Sequence, residues 1–361
     1  MADRLETEEL LESEFITNLS GRSIVNILDP IMHTLTPETD RYRGVESTTR
    51  AFLEKLAASD AKPVEELSPE EARTVLSDLQ AGVEVELGGV TVEEREVATE
   101  GHFIHLFVVK PTATDAVLPV VMFFHGGGWV MGDFPTHRRF VRDLCVASNC
   151  AVVFVDYTRA PEAEYPTAAI ECYLATKWVA EHGDEIGVDG SRLAVAGNSA
   201  GGNLATVVCL MAKTKAAPLI RHQTLFWPVT EARFNTESYQ QFADGYFLTR
   251  NMMKWFWDYY LPDMDARTEL YASPLNAALE QLSDLPPALI QTAELDVLRD
   301  EGESYARLLT DAGVETTCTR YLGTIHDFGL LNPLAGTPQV QAAIQQAAAE
   351  IRRYLEAQGV V

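Results

Sequence analysis

"LAVAGNSAGGNLA", residues 193–205, decides how the rest of the chain is read. "RLAVA" on its left has the texture of a buried strand, and "GNLATVVCLMA" on its right that of a helix. Between them, Gly197-Asn198-Ser199-Ala200-Gly201 forms a G-x-S-x-G sequence at a strand-to-helix junction. A serine on so sharp a turn projects its hydroxyl from the C-terminal edge of a sheet. Glycines two residues before and after it remove Cβ atoms that would collide with neighbouring segments. The helix N-terminus adds backbone N–H groups and a positive dipole end. Such strings also arise by chance, as a plain turn with a small exposed serine. The strand-helix setting makes Ser199 the candidate nucleophile.

Working outward, short apolar runs alternate with amphipathic helices: "LPVVMFFH", "CAVVFVDY", "HQTLFWP", "PALIQTAELD" and "TTCTRYLG". Runs such as VVMFF and AVVFV lack polar alternation, which fits strands buried on both faces. The alternation predicts an α/β fold with a mostly parallel sheet. "GGVTVEEREVAT" and "HFIHLFVV" read as an antiparallel pair at its start, and helices are expected over 136–147, 166–182, 200–213, 301–312 and 337–357. Residues 1–85 look helical. Their clearest helix is "LSPEEARTVLSDLQAG", with Ser68 as N-cap, Pro69 at the first position, Glu71 completing a capping box and Gly82 as the stop. The chain therefore divides into an N-terminal helical region, 1–85, and a catalytic domain, 86–361. Residues 229–270 interrupt the rhythm with a dense aromatic stretch, "YQQFADGYFLTRNMMKWFWDYYLPDMD". It reads as a cap over a pocket, as a helix with a core-facing aromatic stripe, or as both.

Composition narrows the function. A formal net charge of −25 argues against a general nucleic-acid binder, which needs clustered Lys and Arg. The N-terminal "MADRLETEELLESEF" lacks the basic start and apolar core of a secretory signal, and no stretch reaches the length of a membrane span. The five cysteines, Cys145, Cys150, Cys172, Cys209 and Cys318, are scattered without metal-ligand pair spacing. They read as reduced thiols of a cytoplasmic protein, and they argue against a zinc site.

A serine hydroxyl is a poor nucleophile at neutral pH without a base and an orienting carboxylate. On an α/β sheet of this kind the acid and then the base should follow the serine, each beyond a later strand. His326, in "TRYLGTIHDFG", is the only histidine after His222. Glu294, Asp296 and Asp300 all lie near the end of the strand in "PPALIQTAELDVLRDEG". Asp300 and Glu301 have a helix-start reason to be acidic. Asp296, just beyond the strand, is the chosen acid. Acyl chemistry also needs donors for an oxyanion. Ala200 supplies one. "HGGGW", residues 125–129, follows an earlier strand and supplies Gly127 and Gly128, with Gly126 permitting the bend and His125 and Trp129 supporting the loop. A phosphate loop is the weaker reading, because no G-x-x-x-x-G-K-[ST] or G-x-G-x-x-G is present and "WVMGDF" does not begin a helix.

"HGGGW", "DYTRAPEAEYPTA", "GNSAGGN", "LDVLRDEG" and "HDF", in that order and spacing, resemble the bacterial hormone-sensitive-lipase-like esterases of the α/β-hydrolase superfamily. The resemblance covers about residues 88–357. It implies an eight-stranded core and a cap built from N-terminal helices and the 229–270 insertion. It also implies a Ser199–Asp296–His326 triad, hydrolysis of short- to medium-chain carboxylic esters without a cofactor, and a homodimer. Asp156 to Pro166 are implied to be structural. Two positions depart from the family pattern: Asn198 stands where Asp or Thr is common, and Asp327 where Gly is usual. Asn198 should preserve the turn, and Asp327 should raise the His326 pKa if it approaches the ring. The expected partner is a small ester, with neither nucleic acid nor membrane. The alternatives are amide, carbamate, lactone or thioester hydrolysis on the same triad, a non-catalytic small-molecule receptor, and an interfacial lipase.

Overall fold

The computed structural model describes residues 41–112, 114 and 116–356. The leader reading of the first fifteen residues, the helical reading of residues 1–40 and the last position of the 337–357 helix lie outside them. Residues from Glu46 onward make one compact unit, and those up to Val45 fall in another.

Among the described residues, two α-helices precede the sheet, α1 (Ser47–Ala57) and α2 (Pro69–Ala81). The Ser68–Glu71 capping box is formed on both sides. Strands β1 (Val90–Thr99) and β2 (His102–Pro111) make the antiparallel hairpin. There follow β3 (Leu118–Phe124), α3 (Phe134–Ser148), β4 (Ala151–Asp156), α4 (Thr167–His182), β5 (Val188–Asn198) and α5 (Ala200–Lys215). Then come β6 (Gln223–Phe226), the inserted helices α6 (Glu237–Gln241) and α7 (Arg250–Tyr260), β7 (Ala288–Leu295), α8 (Arg299–Asp311), β8 (Thr316–Ile325) and α9 (Pro338–Leu355).

The eight strands form one sheet in the order β1-β2-β4-β3-β5-β6-β7-β8. β2 pairs antiparallel with β4, and every pairing from β4 to β8 is parallel. The runs without polar alternation occupy the middle: β3 is buried along its whole length and β4 for all but its last residue. Each such aromatic or branched side chain contributes about 1.5–3 kcal/mol of burial. α5 is buried from Ala200 through Ala212, so it is apolar all round rather than striped.

Helix ends shift by one or two residues from the sequence reading, and the shift nearest the glycine loop has a clear cause. α3 starts at Phe134, the last residue of "WVMGDF", and not at 136. Asp133 accepts from the Thr136 N–H and Thr136 answers, with Pro135 in the first turn. The sequence carries this D-x-x-T box at 133–136, and it is what starts the helix early. The helix still opens well clear of the three glycines.

The inserted aromatics divide between two surroundings. Trp257 and Tyr260 are fully buried against Trp129, which stacks on Tyr260 at 4.1 Å between centroids and meets Trp257 edge-on at 4.9 Å. Trp255 is only partly buried and packs on Tyr259. The core-facing stripe is therefore real, and it lies directly over the glycine loop.

Candidate active site

β5 ends at Asn198 and α5 begins at Ala200, leaving Ser199 alone at the turn with φ 55° and ψ −120°. A left-handed backbone of this kind costs a non-glycine residue about 1–3 kcal/mol. Three hydrogen bonds hold it there. The Ser199 N–H donates to the Phe226 carbonyl at 2.9 Å, and its own carbonyl accepts from Asn203 and Val229, each at 3.1 Å. A Cβ on Gly201 would overlap the Phe124 carbonyl oxygen, so β3 and α5 approach as closely as they do only because this residue is glycine.

The loops beyond β7 and β8 bring the other two side chains to the turn. His326 Nε2 lies 3.0 Å from Ser199 Oγ, and Nδ1 lies 2.7 Å from Asp296 Oδ2. The second Asp296 oxygen accepts the Leu298 N–H at 3.0 Å, fixing the carboxylate. All three residues are buried. The other two acids considered are engaged elsewhere: Glu294 accepts the Gly323 N–H at 2.7 Å, and Asp300 accepts the Ser238 N–H at 2.7 Å. Burial disfavours the His326 imidazolium. The charges of Asp296 and Asp327 and the hydrogen bond to Asp296 outweigh it, so the His326 pKa is raised above its ordinary value.

The glycine loop sits at the end of β3. Gly127 and Gly128 have φ of 104° and 60°. Among the described residues, the N–H groups of Gly127, Gly128 and Ala200 have no protein acceptor. The loop is braced from behind. His125 stacks on Tyr157 at 4.0 Å, whose hydroxyl donates to the His125 carbonyl at 2.9 Å. Ala160 N–H donates to the Trp129 carbonyl, and Arg159 to that of Gly132. The segment Asp156 to Pro166 thus acts on the loop as a backing. Burial, with His137 alongside, holds His125 well below the usual imidazole range, so its ring is neutral.

Asn198 and Asp327, the two departures, meet. Asn198 Oδ1 accepts the Gly126 N–H at 3.0 Å, and its Nδ2 donates to Asp327 Oδ1 at 2.9 Å. Trp227 Nε1 donates to the same oxygen at 2.7 Å. Asp327 points inward and places Oδ2 3.8 Å from His326 Nε2. Sequence reasoning missed Trp227, Phe256 and Glu301. Phe256, on α7, lies so close to Gly128 that a Cβ there would overlap its ring. Glu301 is fully buried and accepts the Thr230 and Glu231 N–H groups at 2.6 and 3.2 Å. A helix-start position had explained its charge well enough to hide its partners.

Known proteins resemble this chain over most of its length. A family model described as alpha/beta hydrolase fold matches residues 121–330. Carboxylesterase NlhH of Mycobacterium tuberculosis is 37% identical over 290 residues, spanning 80% of this chain and 90% of that protein. Carboxylic ester hydrolase LipN of the same organism is 36% identical over 327 residues, spanning 88% and 82%. Among solved structures, a thermostable esterase from Pseudomonas putida superposes with a TM-score of 0.87 at 59% identity, covering 88% of this chain and 99% of that one. A fungal esterase from Rhizomucor miehei superposes at 0.81 with 40% identity, covering 86% and 96%. With its sheet order, its serine turn and these relatives, the chain belongs to the alpha/beta hydrolase fold family.

Proposed function

We propose that this protein is a serine carboxylesterase that hydrolyses short- to medium-chain carboxylic esters through an acyl-enzyme on Ser199. The observation that carries this reading is the unbroken relay Ser199–His326–Asp296, at 3.0 and 2.7 Å. The relatives add support, among them an ethyl acetate hydrolase of Pseudomonas putida, 34% identical over 257 residues.

His326 Nε2 takes the Ser199 Oγ proton as Oγ bonds to the ester carbonyl carbon. The carbonyl oxygen becomes an oxyanion, held by the N–H groups of Gly127, Gly128 and Ala200. Asp296 holds the Nδ1–H tautomer and stabilises the imidazolium. Collapse breaks the carbon–oxygen bond to the alcohol, which leaves with the proton from His326. Water then gives its proton to His326 and attacks the acyl carbon. The acid departs as Ser199 recovers its hydrogen. The cap over this site is α1, α2 and the 229–270 insertion, and its apolar underside selects the acyl or alcohol group.

Free thiols at all five cysteines, four of them buried, support a reducing compartment, and we place the protein in the cytoplasm. Among the described residues no helix is long and apolar enough to cross a membrane. A homodimer follows from the family resemblance, and light scattering tests it.

Turnover of aryl esters from C2 to C12 tests the reaction. Ser199→Ala should lose about 10⁴-fold or more in kcat; wild-type turnover from that variant would refute the nucleophile. Because the His326 pKa is raised, kcat/KM should decline as pH falls through a value above about 6.5. A decline centred below that value would contradict the charge arrangement around the ring.

A further inference from the structure

His326 has a carboxylate on each side. Asp296 bonds Nδ1, and its role follows from the relay. Asp327 needs a separate account. Its Oδ1 is saturated by two neutral donors, Asn198 Nδ2 and Trp227 Nε1. Among the described residues no Lys or Arg forms an ion pair with it, and the one basic group within 4.0 Å is His326. A buried carboxylate without a permanent cation is costly. Here the missing cation forms transiently, when the imidazole accepts the serine proton. At 3.8 Å, Oδ2 is too distant to hydrogen-bond Nε2, so Nε2 remains free for Ser199. With both side chains buried, it is close enough for its charge to act on the ring.

The same carboxylate reaches the glycine loop. Asn198 bonds Asp327 with one end of its amide and the Gly126 N–H with the other. Gly126 adjoins Gly127, and Asn198 adjoins Ser199. A shift of Asp327 would therefore be felt at the nucleophile and at the donors.

We propose that Asp327 is a positioning residue for ester hydrolysis: its charge stabilises the His326 imidazolium from the Nε2 side, and Asn198 ties it to the oxyanion loop. This rests on His326 being the base for Ser199. The other ionisable groups facing this cluster are Asp296, beyond β7, and His137, on α3. Burial holds the His137 pKa below its ordinary value against the pull of Asp327, so His137 contributes no competing cation near neutral pH.

Asp327→Asn tests it, because the amide oxygen can still accept from Asn198 and Trp227 while the charge is gone. The His326 ring is titrated by NMR, its resonances assigned by their loss in His326→Ala, and kcat/KM is followed against pH with a short aryl ester. The His326 pKa should fall by about one unit. The acid limb should move down with it, kcat on the plateau should drop about tenfold and KM should stay within about twofold. Trp227→Phe provides a second reading should Asp327→Asn fail to fold. It removes one donor from Oδ1, leaves the charge less neutralised, and should raise the His326 pKa by a few tenths of a unit. An unmoved His326 titration in whichever of these variants folds overturns the proposal, even if thermal stability falls. Activity surviving in Ser199→Ala would refute the esterase reading instead, and the NMR titration would still report on Asp327.

Discussion

Gly201 and Gly128 both leave bare backbone beside the site, yet different neighbours exclude a side chain from each. At Gly201 the obstacle is the Phe124 carbonyl oxygen, part of a central strand paired on both sides. At Gly128 it is the ring of Phe256, a side chain on the inserted helix α7. The serine turn is thus set by main chain against main chain, which can relax only by separating β3 from α5. The glycine loop, the proposed oxyanion hole, is roofed by a side chain that a single substitution can remove. Nucleophile geometry and pocket shape reside in regions of unequal stiffness, and the second can vary while the first stays constant.

That contrast can be broken by experiment. Gly201→Ala should cost about 3 kcal/mol or more in unfolding free energy, because no flexible group can yield. A near-wild-type denaturation curve would show the strand-helix contact to be softer than its geometry implies. Gly128→Ala should fold but lose about 10²-fold in kcat, comparable to disabling one oxyanion donor. Adding Phe256→Ala should recover part of that loss. The recovery stays incomplete because φ of 60° still disfavours alanine. No recovery in the double variant would mean that backbone conformation, and not the ring, sets the requirement.

The smallest effect concerns how the insertion is anchored. Glu301, in the first turn of α8, receives two N–H groups from the start of the segment leading to α6. Burial, with Glu231 and Asp296 nearby, holds its carboxyl well above the usual range despite those two bonds, which favours the neutral form. Glutamine mimics that state. Glu301→Gln should leave the thermal midpoint nearly unchanged, whereas Glu301→Ala strands both amides and should cost about 2 kcal/mol. An equal loss in both variants would show that the carboxyl is ionised there.

Much of this is legible in the amino-acid sequence. Strand order cannot be read from sequence, but six strands were announced by short apolar runs, the first two by an antiparallel-pair pattern, and the α2 cap by Ser68 and Glu71. Ser199 followed from its junction, and His326 from being the last histidine in the chain. Asp296 was chosen among three acids on position alone. Its distinction lies in the hydrogen bonds it makes, since Glu294 and Asp300 are held by Gly323 and Ser238.

Sequence by itself determined what depends on neighbours in the chain: periodicity, caps, glycine at tight turns, and the order of nucleophile, acid and base. Tertiary structure alone decided which way the side chains of Asp327, Asn198 and Phe256 turn. Asp327 was readable as solvent-facing or ring-facing. It faces the ring because Asn198 and Trp227, from two other strand ends, converge on one of its oxygens. Local propensity carries no information about such a meeting, because its partners become neighbours only after β5, β6 and β8 have aligned in the sheet.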